Sequence, residues 1–282
     1  MLVHIKVPCT EIADELGIIP TKKQFNLNEL TQLRNATKIN DSNCPGLICI
    51  GSRPGMGKTA FALDIVLDAA ISNPKEILLF SLEMTAKQIA VRLLQKLCGV
   101  NIRTFKDSAG SEEDKAKLSA AIAFLQEQNI FIDDSTNATP AYIEKCIQSR
   151  KNPGVILIDY LQLMHADKKK DTIQRELSEI TRSLSIQVQK YCVKIVVLTQ
   201  IGRIFREDKR PILDDIRSIG SLHQNSDVVL FVYRDEYYQN NSTNDAAEII
   251  IAKNRYGKCD TIHMRFDGQS LSFRENAAMK KT

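Results

Sequence analysis

Apolar and polar positions alternate along this chain in blocks. From residue 46 onward, short runs that are apolar almost throughout are separated by longer stretches in which apolar residues recur every three or four positions. The runs are Gly46 to Gly51, Glu76 to Ser81, Val155 to Tyr160, Lys194 to Gln200 and Asp227 to Tyr233. A segment apolar at nearly every position has no solvent face, so each run predicts a strand covered on both sides. Ala60 to Val66, Thr85 to Cys98, Glu112 to Gln128, Thr139 or Pro140 to Arg150, and Thr172 to Tyr191 predict helices; in the second of these, Ile89, Leu93, Leu94 and Leu97 share one face. Asn129 to Asp134 predicts a short strand. Glu248 to Lys253 and Thr261 to Phe266 predict two edge strands joined by a loop at Asn254 to Asp260. The pattern predicts an α/β fold: a mostly parallel central sheet flanked by helices, with antiparallel edge strands near the C-terminus. Ligands in such sheets bind at the carboxyl ends of the strands, and each candidate residue below is expected at such an end or in a loop beside it.

Residues 1 to 45 are patterned more weakly. Glu11 to Leu16 and Asn26 to Leu33 predict short helices, and Ile39 to Pro45 a polar turn. They read as an N-terminal extension or linker remnant packed on the domain edge or on a neighbour, with 46 to 282 as the main domain.

Composition narrows the class. A 43% hydrophobic content over 282 residues supports a sizeable core. No run reaches the ~20 apolar residues that span a bilayer, and the first residues lack the pattern of a signal peptide, so a cytoplasmic protein without membrane contact is expected. The seven cysteines are scattered and form no Cys-x-x-Cys pair, and the four histidines show no metal spacing. Reduced thiols are expected, with Cys49, Cys98, Cys146 and Cys192 in apolar or helical surroundings. The net charge of +4 permits a nucleic-acid partner without requiring one.

The most informative stretch is Ser52-Arg53-Pro54-Gly55-Met56-Gly57-Lys58-Thr59, set between the first strand and the first helix. Strand, glycine-rich turn, Lys-Thr and helix together predict a phosphate-binding loop. Gly55 and Gly57 let backbone N–H groups face a polyphosphate, Lys58 reaches the outer phosphates, and Thr59 holds Mg²⁺. The strict pattern places glycine where Ser52 stands; Gly51 lies one residue early.

Other candidates sit beside strand ends. Asp159 closes an apolar strand and reads as a Mg²⁺ partner or a solvated strand end. Glu83 could polarise an attacking water, or be a first-turn helix glutamate. Gln200 could sense a γ-phosphate or cap its strand. Lys253 and Arg255 could stabilise a transferring phosphoryl group, the chain's own or a neighbour's, or form a solvated basic turn. The loops His165 to Lys170, with Lys168 and Lys169, and Gly202 to Arg217, with Arg203 and Arg217, are candidates for nucleic acid. Few aromatics are interleaved, so backbone tracking rather than base stacking is expected there.

Six stretches carry a resemblance: Arg53 to Ala62, Phe80-Ser81-Leu82-Glu83-Met84, Ile158 to Met164, Asp227 to Phe231, Tyr233-Arg234-Asp235-Glu236 and Ile249 to Arg255. In order and spacing, over roughly 46 to 275, they resemble the C-terminal ATPase domain of DnaB-type replicative hexameric DNA helicases. The resemblance implies a RecA-like P-loop ATPase that uses ATP and Mg²⁺ at subunit interfaces of a homo-oligomeric ring, and moves 5′ to 3′ on single-stranded DNA during replication. It implies that Lys58 and Thr59 bind phosphate and Mg²⁺, Asp159 supports the metal, and Glu83 activates water. It further implies that Gln200 couples nucleotide state to DNA loops, Lys253 and Arg255 enter the neighbour's site, and Arg217 and Gly220 contact DNA.

Two departures stand out. Arg217-Ser218-Ile219-Gly220 lacks the acidic residue of the family's loop, and Thr199-Gln200-Ile201-Gly202-Arg203 replaces Ser-Gln-Leu-Asn-Arg. Residues 1 to 45 are too few for the family's N-terminal domain, which puts primase contact in question; a helicase loader is a further candidate partner. The alternative expectation is an ATP- and DNA-binding relative that regulates or assists a full-length helicase without unwinding.

Overall fold

The computed structural model describes residues 5–21, 30–41, 44–72, 74–102, 105, 110–168, 170–238 and 245–275. In chain order the elements are β1 (Ile5–Lys6), α1 (Cys9–Leu16), α2 (Thr31–Thr37), β2 (Gly46–Ser52), α3 (Lys58–Ser72), β3 (Glu76–Ser81), α4 (Ala86–Cys98), α5 (Glu112–Glu127), β4 (Ile130–Asp133), α6 (Pro140–Gln148) and β5 (Pro153–Asp159). They continue with α7 (Ile173–Tyr191), β6 (Lys194–Gln200), α8 (Leu222–Asn225), β7 (Val228–Tyr233), β8 (Ala246–Asn254), β9 (Thr261–Asp267) and β10 (Ser272–Glu275), with single 3-10 turns at Leu161–Leu163, Leu213–Ile216 and Asp235–Tyr238.

The strands form one sheet in the order β1-β4-β3-β5-β6-β2-β7-β8-β9-β10. From β4 to β7 all neighbours are parallel. Antiparallel pairs close both edges, β1 on β4 and the meander β7-β8-β9-β10. This is the mostly parallel sheet with antiparallel C-terminal strands that the apolar runs predict. β1 and β10 are short and lack a run long enough to be read from the sequence.

Side chains alternate between the two faces along the central strands of the sheet. Ile48 and Ile50 of β2 enter the core on the side of α3, α4 and α5. Leu47 and Cys49 enter the opposite core, built with α6 and α7. The same alternation splits Leu79 from Phe80 and Leu157 from Ile158. Two covered faces explain why these strands are apolar at every position.

Helix ends follow local chemistry. Thr85 and Gln88 form a reciprocal capping box on α4, which closes at Gly99 with φ 69°. Ser111, Thr139 and Thr172 cap α5, α6 and α7 through their hydroxyls. The start of α3 follows the glycine turn directly, at Lys58.

The described residues before β2 share the main core. Ile12, Leu30, Leu33 and Ile39 are buried in it, and Asp68 of α3 accepts from Leu30 N, Arg34 and Asn40. The helix expected over Asn26 to Leu33 lies partly outside the described residues; the observed helix runs from Thr31 to Thr37. All seven cysteines are free. Cys49 and Cys146 are buried as expected, but Cys192 is exposed, holding the left-handed cap of α7 at φ 51°. Among the described residues, no helix is long and apolar enough to cross a membrane.

Candidate functional site

β2 ends at Ser52, and the chain reverses through Gly55 at φ 78° and Gly57 at φ 90° before α3 begins at Lys58. Those φ values lie where only glycine is unstrained. Gly57 has a second constraint: a Cβ there would stand 3.0 Å from Cζ of the buried Phe273. Ser52 is different. It is the last strand residue, paired with Gln200 across β6, with no positive φ. Its backbone carbonyl accepts from Ile201 N at 3.0 Å, and its hydroxyl donates to Arg53 O at 2.9 Å. A serine therefore fits where the strict motif has glycine. The Met56 side chain turns into the core, so only its backbone faces the loop's concavity.

Lys58, Thr59 and Asp159 meet at the carboxyl ends of β2 and β5. Thr59 Oγ1 donates to Asp159 Oδ2 at 2.7 Å, and the Lys58 ammonium lies 4.6 Å from the centroid of the Tyr160 ring. Asp159 is only 2% exposed, which excludes a solvated strand end. Burial raises its carboxyl above the usual range, against the Thr59 hydrogen bond and the Lys58 charge. Burial likewise lowers the Lys58 ammonium, against Asp159 and Glu83. Asp159 Oδ1 is buried with no hydrogen-bond partner. A buried carboxylate oxygen without a partner, beside a threonine hydroxyl, fits a hard divalent cation. The open N–H groups of a helix start, with a desolvated lysine, fit a polyphosphate.

Lys58, Thr59 and the turn from Ser52 to Gly57 line a cavity of about 470 Å³ that also takes in Glu83 and Gln200, and Asp159 adjoins it through Thr59. Glu83 is exposed and precedes the Thr85 cap of α4, so it is not a first-turn helix residue. Gln200 is tied back to the Asp159 segment: Gln162 Nε2 donates to its carbonyl at 2.8 Å. Arg53 Nη1 donates to Ile201 O at 3.3 Å, linking the phosphate loop to the start of the loop after β6. The far wall comes from Arg92, Arg234, Phe266 and Leu271. The Arg234 guanidinium lies 4.0 Å from the Phe266 ring centroid. None of those four was read as a site residue. Arg234 stood within the quoted Tyr233–Glu236 stretch, and that was its only signal.

Lys253 and Arg255 correct one expectation. β8 runs antiparallel to β7 and pairs Asn254 with Val228, the first residue of β7. Its carboxyl end therefore lies at the amino ends of the parallel strands, the opposite end of the sheet from Lys58. Neither cation reaches the chain's own cavity. Lys253 Nζ donates to His223 O and Gln224 O at 2.8 and 3.1 Å, holding the end of α8. Arg255 is 62% exposed and pairs with Asp227 at 2.7 Å. Asp227 Oδ2 also accepts from Leu47 N at 2.9 Å, and Tyr256 OH donates to Pro45 O at 2.9 Å. The Arg255 turn is thus clamped onto the start of β2.

The nucleic-acid candidates lie on two loops. Lys168 and Arg203 are exposed; Lys169 lies outside the described residues. Arg217 and Gly220 border an open groove of about 930 Å³ along the start of α7, with Thr172, Arg175, Ser178 and His223. The groove is larger than the cavity at Lys58 but separate from it. Gly220 has φ 54°, and a Cβ there would meet Ser178 N at 2.7 Å, so the close approach of this turn to α7 needs glycine.

The chain is similar to known proteins along most of its length. It is 40% identical over 235 residues to the replicative DNA helicase DnaB of Buchnera aphidicola subsp. Schizaphis graminum, and 39% identical to those of Haemophilus influenzae and Geobacillus stearothermophilus. The matches cover 78–80% of this chain and 50% of each relative, so the chain spans about half the length of these proteins. Among solved structures, an isolated ATPase domain superposes with a TM-score of 0.80 at 32% identity, covering 95% of both chains. A DnaB-like replicative helicase studied with primase matches at the same TM-score and identity, over 96% of this chain and 68% of its own. The RadB recombinase, at 15% identity and TM-score 0.52, shares the fold alone, which is RecA-like. A model of the DnaB-like helicase C terminal domain matches residues 30–275. The chain belongs to the DnaB-like helicase C-terminal domain family.

Proposed function

We propose that this chain is the ATP-driven motor of a replicative DNA helicase, hydrolysing ATP at subunit interfaces of a homo-oligomeric, hexameric ring to move 5′ to 3′ along single-stranded DNA. The observation that carries the reading is the Thr59–Asp159 contact with its unpartnered Asp159 Oδ1 beside the desolvated Lys58. In this reading the loop from Ser52 to Thr59 cradles the triphosphate, and Lys58 neutralises its outer phosphates. Thr59 and Asp159 hold Mg²⁺, which when bound offsets the charge that develops on the phosphates. Glu83 orients the attacking water, and Gln200 relays the nucleotide state through Gln162 and Ile201 to the loop after β6.

Arg255 and Lys253 act in trans. Their place at the far end of the sheet from Lys58, with Arg255 exposed, suits insertion into a neighbour's cavity across a head-to-tail interface. Lys168, Arg203, Arg217 and Gly220 face DNA; Lys169 belongs to the same proposal from its sequence position. A loader is a candidate partner.

The test is hydrolysis of ATP with and without single-stranded DNA. Lys58→Ala should abolish turnover, because phosphate positioning is nearly all of the catalysis. Arg255→Ala should lose turnover and keep nucleotide binding. Mixing the two inactive variants in equal amounts should restore about a quarter of the sites, those pairing an intact loop with an intact neighbour's Arg255. No recovery on mixing, with rings still formed, refutes the trans role. Ser218, in place of the family's acidic residue, favours as second reading a binding relative that does not unwind; strand displacement by the purified chain excludes it.

A further inference from the structure

The loop after β6 is braced almost entirely by its own cations. Arg206 forms two hydrogen bonds to Asp215, at 2.7 and 3.0 Å, and a third to Arg210 O. Lys209 Nζ donates to Ile204 O and Arg206 O. Arg210 holds Glu248 of β8 through two nitrogens, at 2.8 and 2.7 Å. Arg217 is the exception: it has only an exposed surface pair, 3.1 Å from Asp214, and stays open to phosphate. The charge that the sequence suggests for gripping phosphate is largely committed to shaping the loop.

That bracing presents an aromatic ring. Ile204 turns inward and is buried, while Phe205 stands 84% exposed, the most exposed large apolar side chain among the described residues. Arg203 makes no ion pair among the described residues; its guanidinium lies 5.6 Å from the Phe205 ring centroid. The fold buries almost none of the Phe205 ring, so its face is open to a partner. A flat ring with an adjacent guanidinium matches the face of a nucleobase and the phosphate next to it. The loop's root is also joined to the phosphate loop, through Arg53 to Ile201 O and Ile201 N to Ser52 O.

We propose that Phe205 is a stacking platform for a base of single-stranded DNA, with Arg203 holding the adjoining phosphate. The proposal rests on the motor reading above and adds to it a contact with the base itself. It reverses the expectation of pure backbone tracking. Stacking is blind to base identity, since every base has a π-face, so the contact suits a motor that must pass over any sequence.

The experiment uses the full chain with Mg²⁺ and a non-hydrolysable ATP analogue. Anisotropy titrations compare oligothymidylate with an abasic strand of equal length, across a range of salt concentrations. Wild type should prefer the base-bearing strand by about 5- to 150-fold, the range for one stacked base. Phe205→Ala should erase that preference and leave the salt slope unchanged, because no phosphate contact is lost. Arg203→Ala should flatten the slope. The chain has no tryptophan, so Phe205→Trp introduces a single indole whose fluorescence should be quenched by oligothymidylate and not by the abasic strand. Phe205→Ala that still discriminates between the strands, or an indole indifferent to DNA that is bound, overturns the proposal. Loss of ring assembly in Phe205→Ala, measured by light scattering, with strand preference retained in the remaining complex, overturns it in favour of a second copy of the chain as the covering surface. Failure of wild type to bind either strand overturns the DNA reading as a whole.

Discussion

Replacing Asp227 with asparagine should separate two tasks that its carboxylate performs. Oδ2 accepts from the buried Leu47 N at the start of β2, and Oδ1 holds Arg255 at 2.7 Å. Alanine removes both. The Leu47 amide then loses its acceptor in a buried place, at a cost of about 1–3 kcal/mol. The Arg255 pair adds only about 0–1 kcal/mol, because the guanidinium is largely in solvent. Asparagine keeps an oxygen for Leu47 and turns an NH₂ toward Arg255, donor against donor. Its stability should therefore stay within about 1 kcal/mol of wild type, while the Arg255 side chain loses its orientation. Misplacing a charge by an ångström costs on the order of 100-fold in rate. Asp227→Asn should accordingly lower DNA-stimulated ATP turnover by about 10- to 100-fold with nucleotide affinity unchanged. Urea unfolding, nucleotide titration and steady-state hydrolysis on the same preparations give all three quantities. Wild-type turnover in Asp227→Asn would show that Arg255 needs no guide. Equal destabilisation by Asn and Ala would show that the two oxygens do not divide the work.

Two further expectations concern stability. Gly57→Ala places a Cβ at φ 90° and 3.0 Å from Phe273. Backbone strain and crowding together should cost about 2–4 kcal/mol, a fall in Tm of roughly 5–15 °C; Phe273→Leu should recover only the crowding part, and parent-like melting sinks the argument. Lys194 lies buried against Lys38 O and Asp41 O, and burial lowers its ammonium to about 8. Between pH 8 and 10.5 the unfolded chain holds a proton there that the folded chain does not, so stability rises with pH through this window. Relative to Lys194→Met, wild type should gain about 2 kcal/mol between about pH 7.5 and 9.5 in urea titrations, and a flat difference refutes it.

How much of the site was legible depends on how far each contact reaches along the chain. The turn from Ser52 to Thr59 could be read because its glycines, lysine and helix start are neighbours, and backbone conformation is a local property. The helix starts at Thr85 and Thr172 were legible for the same reason. Thr59 and Asp159 touch across a separation of 100 residues; each reads as a Mg²⁺ partner from its own strand end, but no spacing shows that the two side chains meet. The wall formed by Arg92, Arg234 and Phe266 comes from α4, the end of β7 and β9, and no spacing links them. Phe205 was passed over because a single aromatic in a basic loop carries no pattern; its exposure emerged only once Arg206, Lys209 and Arg210 were seen to be engaged within the loop.

The order of apolar runs and amphipathic stretches was enough to determine the α/β class, the parallel sheet and the position of the phosphate turn, since each rests on periodicity or on neighbouring residues. Tertiary structure decided which strands lie side by side, and therefore which side chains converge. It placed Asp159 beside Lys58 because β2 and β5 both flank β6. It carried Lys253 and Arg255 to the opposite end because β8 returns antiparallel. Strand order and direction come from the combined burial of the whole core, a property of the complete fold that no single segment contains.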